Sequence, residues 1–148
     1  MKKIIYLAFL LTGFVATAAP VPTKVNEKVL KAFKETFASA QDVSWHEYAD
    51  YSQANFVVDK IQVRAQYAED GRLIRTLRYY SERELLPNIV AKLKKKYAGK
   101  EITGITESSS DEDVSFVINI KDQDNWYIVK SDVYGSLQQT EKFKRADK

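Results

Sequence analysis

A chain of 148 residues, 45% hydrophobic and 12% aromatic, has enough apolar material for one compact core, and its 23 basic against 20 acidic residues leave a formal charge of only +3. That balance supplies no electrostatic footprint for nucleic acid. The absence of cysteine excludes disulfides, thiol catalysis and a lipidated N-terminal cysteine.

The chain opens with Met1-Lys2-Lys3, an apolar run from Ile4 to Val15 interrupted only by Thr12 and Gly13, and the small residues Ala16-Thr17-Ala18 before Pro20. This is the pattern of a secretory signal peptide over residues 1–18, with cleavage after Ala18 or Ala19. The expected location is therefore periplasmic or secreted. The apolar run falls short of the roughly 20 residues that span a bilayer, so no stable membrane anchor is expected. Removing Lys2 and Lys3 lowers the basic count from 23 to 21 against 20 acidic residues, leaving the mature chain nearly neutral.

Asn26 is the predicted N-cap of a helix that carries Val29, Phe33 and Phe37 along one stripe and ends near Ser39. Alternating segments follow at Val43 to Tyr48, Ala54 to Val58 and Ile61 to Tyr67. Asp59-Lys60 makes a two-residue link, and Asp70-Gly71 a turn into a fourth strand over Arg72 to Tyr80. Pro87 marks the start of a second helix, whose stripe is Ile89, Leu93 and Tyr97. Strands are then predicted at Glu101 to Glu107, Val114 to Ile120, Trp126 to Ser131 and Ser136 to Phe143, with Gly135 standing where Gly71 stood. The order repeats, so residues 19–86 and 87–148 read as two tandem repeats. The fold class is α+β: a mostly antiparallel sheet of about eight strands with two helices on one face. The expected core is Val29, Phe33, Phe37, Trp45, Phe56, Val63, Ile89, Leu93, Tyr97, Ile118 and Ile120.

Several residues that could carry chemistry have plainer readings. His46 is the sole histidine and lacks the partners of a nucleophilic triad or a zinc site. Asp111-Glu112-Asp113 and Asp122-Gln123-Asp124-Asn125 lack the spacing of a calcium loop and read as polar hairpin loops. Lys92, Lys94, Lys95, Lys96 and Lys100 surround an apolar stripe, as on a solvated helix face. No catalytic residue, metal site or cofactor is expected.

The aromatic-ended helix leading through a small residue into Val43-Ser44-Trp45, the Asp-containing glycine turn before Leu73 and again before Leu137, and the duplication behind a signal peptide resemble the PepSY-like, beta-lactamase-inhibitor-like periplasmic proteins of Bacteroidetes. Two departures fall in the second half, where Asp132 stands opposite Ala68 of the first and Thr103-Gly104-Ile105 replaces Val-Ser-Trp. The resemblance implies tandem helix-plus-four-strand repeats, with helices on one sheet face and a partner on the other. If Val63 and Ala65 face the helices, so do Tyr127 and Val129, which turns Trp126 and Ile128 to the opposite face. The same counting sends Arg64, Arg78 and Tyr80 outward, with Trp126 exposed and Trp45 buried. Tryptophan, tyrosine and arginine are residues that anchor interfaces. The sequence thus points to a non-enzymatic binding or inhibitory module with a protein partner, which the resemblance suggests is a hydrolase or peptidase. A small-ligand or envelope-component sensor using a concavity of the sheet is the alternative, and a loop, the C-terminal tail or a second copy of the chain are the other candidates to cover the face.

Overall fold

The computed structural model describes residues 25–146; the signal-peptide segment lies outside the described residues. Helix α1 (Glu27–Thr36) precedes strands β1 (Gln41–Glu47), β2 (Ser52–Val58), β3 (Ile61–Tyr67) and β4 (Leu73–Tyr80). A short 3-10 turn at Glu82–Glu84 leads to helix α2 (Pro87–Lys96) and strands β5 (Glu101–Ser109), β6 (Val114–Lys121), β7 (Asn125–Asp132) and β8 (Leu137–Lys144). All eight strands form one antiparallel sheet in chain order, β1 to β8. Among the described residues no helix is long and apolar enough to cross a membrane.

Local chemistry sets these boundaries. The Asn26 side chain accepts from the Lys28 amide at 2.9 Å, satisfying one of the free N–H groups of the first turn of α1. Pro87 occupies the first turn of α2, where its missing N–H costs nothing. Asp59 and Lys60 both take positive φ, 50° and 67°, as a two-residue hairpin that follows the twist of its strands requires. Gly71 (φ 91°) and Gly135 (φ 78°) form the β3–β4 and β7–β8 turns. A Cβ on Gly71 would stand 2.9 Å from the Lys28 carbonyl oxygen, and one on Gly135 would stand 3.0 Å from Lys92 Cδ. Each glycine lets its turn tuck against a helix.

Cross-strand partners share a face of the sheet. Val63 opposes Phe56 and Arg78, Arg78 opposes Glu107, Glu107 opposes Phe116, and Phe116 opposes Ser131. This face carries both helices. Val29 and Phe33 of α1 join Ala54, Phe56, Val63, Ala65 and Tyr67 in one buried cluster, while Ile89, Leu93 and Tyr97 join Ile105, Phe116, Ile118, Ile120, Tyr127 and Val129 in another. Of the expected core, Phe37 and Trp45 are only half-buried. Phe37 caps the C-terminal end of α1, and Trp45 sits on β1, an edge strand that has no outer neighbour to cover it.

The basic run is also more engaged than its solvated reading implies. Lys92 Nζ donates to the Tyr134 carbonyl at 2.9 Å, Lys96 Nζ to the Leu137 carbonyl at 3.2 Å, and Lys94 pairs with Glu82 at 2.6 Å. These contacts tie α2 to the β7–β8 turn and to the preceding 3-10 turn. Lys100 bonds both Asp122 and, at 3.2 Å, the Tyr127 hydroxyl. Those bonds, joined by one from Tyr127 itself and by the Asp124 amide, hold the Asp122 carboxyl well below the usual carboxylate range.

Candidate functional site

With both helices on one side, the opposite side of the sheet is, among the described residues, its open face. Arg64 opposes Asn55 and Leu77 there, Gln62 opposes Tyr79, and His46, Gln53, Gln66 and Arg75 form a continuous row across β1 to β4. In the second half the same face carries Val117, Ile128, Trp126 and Phe143, with Ile128 opposite Asn119 and Glu141 and Trp126 opposite Lys121 and Phe143. The face is polar at the β1–β4 end and mixes aliphatic and aromatic with charged side chains at the other.

Of the five predicted contact residues, Arg64, Trp126 and Ile128 are on this open face. Arg78 and Tyr80 are not. Gln66 opposes Arg75 but Tyr67 opposes Leu73, so Ile74 is an extra residue in β4. This β-bulge reverses the alternation beyond it, and a phase counted from Leu73 comes out inverted at residues 78 and 80. Arg78 and Tyr80 instead meet Glu107 on the helix side, where the two halves of the sheet join. Arg78 Nη1 lies 3.3 Å from Glu107 Oε1, and the Tyr80 hydroxyl donates to Glu107 Oε2 at 2.6 Å. Burial, reinforced by the carboxylate it bonds, pushes the Tyr80 hydroxyl pKa far up, so it stays a donor.

Trp126 is half-buried rather than exposed. Phe143 lies directly across from it, and Lys121 Nζ and the Arg145 guanidinium stand 5.8 and 5.9 Å from its rings. Phe143 itself is 49% exposed, which makes it the more accessible aromatic of the pair. Sequence reasoning missed it by treating β8 only as the last strand of the meander.

At the polar end a shallow, open concavity of about 510 Å³ is lined by His46, Asn55, Gln62, Arg64 and Tyr79 among others. A hydrogen-bonded chain runs across the face, and its Gln53, Asn55 and His46 end lines the concavity. Arg75 Nη2 donates to Gln66 Oε1 at 3.0 Å, Gln66 Nε2 to Gln53 Oε1 at 3.1 Å, and Gln53 Nε2 to Asn55 Oδ1 at 3.0 Å; Asn55 Nδ2 then lies 2.9 Å from His46 Nδ1. Gln53 and Gln66 are buried, at 8% and 9% exposure, so these mutual bonds offset the loss of water. Arg64 stacks on Tyr79, its guanidinium carbon 5.2 Å from the ring centre. Sequence reasoning set His46 aside as an isolated strand residue and missed the chain. Its signal was the alignment of His46, Gln53, Gln66 and Arg75, which becomes visible once the hairpin registers are known.

Among the described residues no group of three or more acidic or histidine side chains is arranged to hold a metal ion.

No protein-family model matches this chain, and no curated protein matches it in sequence. Solved structures do. A BLIP-like protein from Bacteroides fragilis superposes with a TM-score of 0.68 at 12% identity, covering 84% of this chain and 91% of that one. A DUF2874 family protein from Bacteroides ovatus gives 0.65 at 20% identity over 82% and 88% of the two chains. A protein from Bacteroides eggerthii, assigned provisionally to the periplasm, gives 0.66 at 13% identity over 82% and 90%. The fold is that of BLIP-like and DUF2874 proteins. At these identities the likeness concerns the fold and carries no residue role.

Proposed function

We propose that this chain is a non-enzymatic periplasmic binding or inhibitory module that engages a protein partner through the open face of its sheet, with Arg64, Trp126 and Ile128 among the contacts. The observation that carries the reading is the placement of both helices on one side, which leaves the other face of the sheet, with its mixed aromatic, aliphatic and cationic side chains, without a covering layer among the described residues. The exposed end is broad and shallow, the form of a protein-binding surface rather than of a pocket that encloses most of a small ligand. The BLIP-like neighbour supports the inhibitory side of the reading, and the family resemblance makes a hydrolase or peptidase the class of partner. The signal-peptide pattern and the provisionally periplasmic neighbour support the location. The doubled helix-then-four-strand order supports descent from a duplicated PepSY-like unit over residues 19–86 and 87–148.

The test is capture from periplasmic extract of the source organism with immobilised residues 19–148, identified by mass spectrometry. A specific protein should be retained by the wild type and lost by the Trp126→Ala, Ile128→Ala double variant. Equal retention by both would overturn the reading. The second reading, a small ligand in the concavity beside Arg64, would instead give a thermal shift with a protein-free filtrate of the same extract.

A further inference from the structure

The chain of side-chain bonds on the open face has a direction that chemistry fixes. Arg75 has only N–H donors, so the Gln66 oxygen must face it, at 3.0 Å. The Gln66 nitrogen is then the group 3.1 Å from Gln53, which must present its oxygen; the Gln53 nitrogen in turn meets the Asn55 oxygen at 3.0 Å. Asn55 is left with its nitrogen 2.9 Å from His46 Nδ1, so that ring atom accepts and the proton of the neutral imidazole sits on Nε2.

The consequence is a set of spare donors. Each amide oxygen of the chain already accepts one internal bond, while Asn55 retains a second N–H, His46 retains Nε2–H, and Arg75 retains N–H groups beyond the one given to Gln66. Arg64 adds a guanidinium positioned over the Tyr79 ring. Arg64 and Arg75 are diagonal neighbours on β3 and β4, both exposed, and among the described residues neither pairs with a carboxylate. Asp42, at the irregular start of β1, is the carboxylate that lines the concavity. One exposed guanidinium, that of Arg64, therefore lines the concavity and a second, that of Arg75, stands diagonally beside it, next to a chain that offers spare N–H donors.

We infer that the β1–β4 end of the open face recognises a carboxylate-bearing segment of a protein partner, an acidic loop or strand whose Asp or Glu side chains are taken by Arg64 and Arg75 while His46 Nε2–H and Asn55 donate beside them. Planar guanidinium forks suit carboxylates, and one already stacked on an aromatic ring loses little freedom on binding. The inference rests on the protein-binding reading and names the chemistry of the partner.

The test uses an acetylated, amidated hexapeptide of alternating Asp and Glu, and its Asn and Gln counterpart, titrated into ¹⁵N-labelled residues 19–148. The acidic peptide should shift the side-chain amide signals of Asn55 and Gln53 and bind at least tenfold more tightly than the neutral one, with the difference shrinking in 0.5 M salt. Arg64→Gln should weaken acidic-peptide binding at least fivefold with no change in thermal midpoint, and Arg75→Gln should additionally displace the free-state amide signals of Gln66, Gln53 and Asn55. Equal binding of the two peptides, no binding, shifts confined to the α2 lysines, or indifference to Arg64→Gln would each overturn the inference. Partner capture that depends on Trp126 and Ile128 would survive any of these results, so failure here is distinguishable from failure of the binding reading.

Discussion

The two halves of the molecule build the same element order on different cores. In the first, Phe33 is the hub of an aromatic cluster, with ring centres 5.0 Å from Phe56, 5.2 Å from Trp45, 5.7 Å from Phe37 and 6.5 Å from Tyr67, mostly in edge-on geometry. In the second, fully buried Ile89, Leu93, Ile118, Ile120 and Val129 do the same task with branched aliphatic chains, and Tyr97 and Tyr127 form the one ring pair found within that cluster. The backbone plan depends on which face is apolar, not on which apolar side chain fills it. The open faces differ more, being polar and internally bonded over β1–β4 but mixing Trp126, Ile128 and Phe143 with Asn119, Lys121 and Glu141 in the second half.

The largest expected effects come from the two cores. Phe33→Ala should cost about 3–5 kcal/mol and Ile118→Ala about 2–5 kcal/mol in urea unfolding, while half-buried Phe37→Ala should cost clearly less than Phe33→Ala. Because β4 and β5 pair from Thr76↔Ser109 to Tyr80↔Ile105, both core variants should shift one common transition. Two separate transitions would break the comparison by showing that the halves unfold independently.

Next come the glycine turns. Both Gly71→Ala and Gly135→Ala incur the left-handed backbone cost of about 1–2 kcal/mol. Only Gly71 faces backbone, the Lys28 carbonyl, whereas Gly135 faces the flexible Lys92 chain. Gly71→Ala should therefore be the more destabilising of the two, and the reverse order in thermal melts would contradict the packing of α1 on its turn.

Asp122 gives the second half an acid sensitivity. Its folded pKa is depressed, first by the Lys100 bond and then by Tyr127, so its contribution is fully present above the ordinary carboxylate pKa of about 4 and is lost as pH falls below that. Asp122→Asn should flatten the loss of stability between about pH 4 and 2. An unchanged acid slope would remove Asp122 from the account.

The smallest effect is expected at Tyr97, whose buried hydroxyl bonds no group among the described residues. Tyr97→Phe should alter stability by less than about 1 kcal/mol, in the stabilising direction. A substantial loss would mean that the hydroxyl is satisfied.

Strand phase was legible wherever alternation ran unbroken. Ile61 to Tyr67 is read correctly to the residue, and the helical stripes through Phe33 and Leu93 identify the buried faces. It failed at Arg78 and Tyr80 because Ile74 contributes an extra residue without the glycine that often marks a bulge. The burial of Trp126 was missed because it depends on Phe143 and Arg145, far along the chain and juxtaposed only by the β7–β8 hairpin. The amide chain ending at His46 was invisible for the same reason: four strands must be in register before its members meet.

The central claim is that the open face, not the helix face, meets a partner. Capture by residues 19–148 should be compared among the wild type, Ile128→Glu on the open face and Lys95→Glu on exposed α2, with equal thermal midpoints confirming folding. The account predicts that Ile128→Glu abolishes capture and Lys95→Glu leaves it intact; retention by Ile128→Glu with loss by Lys95→Glu would contradict it.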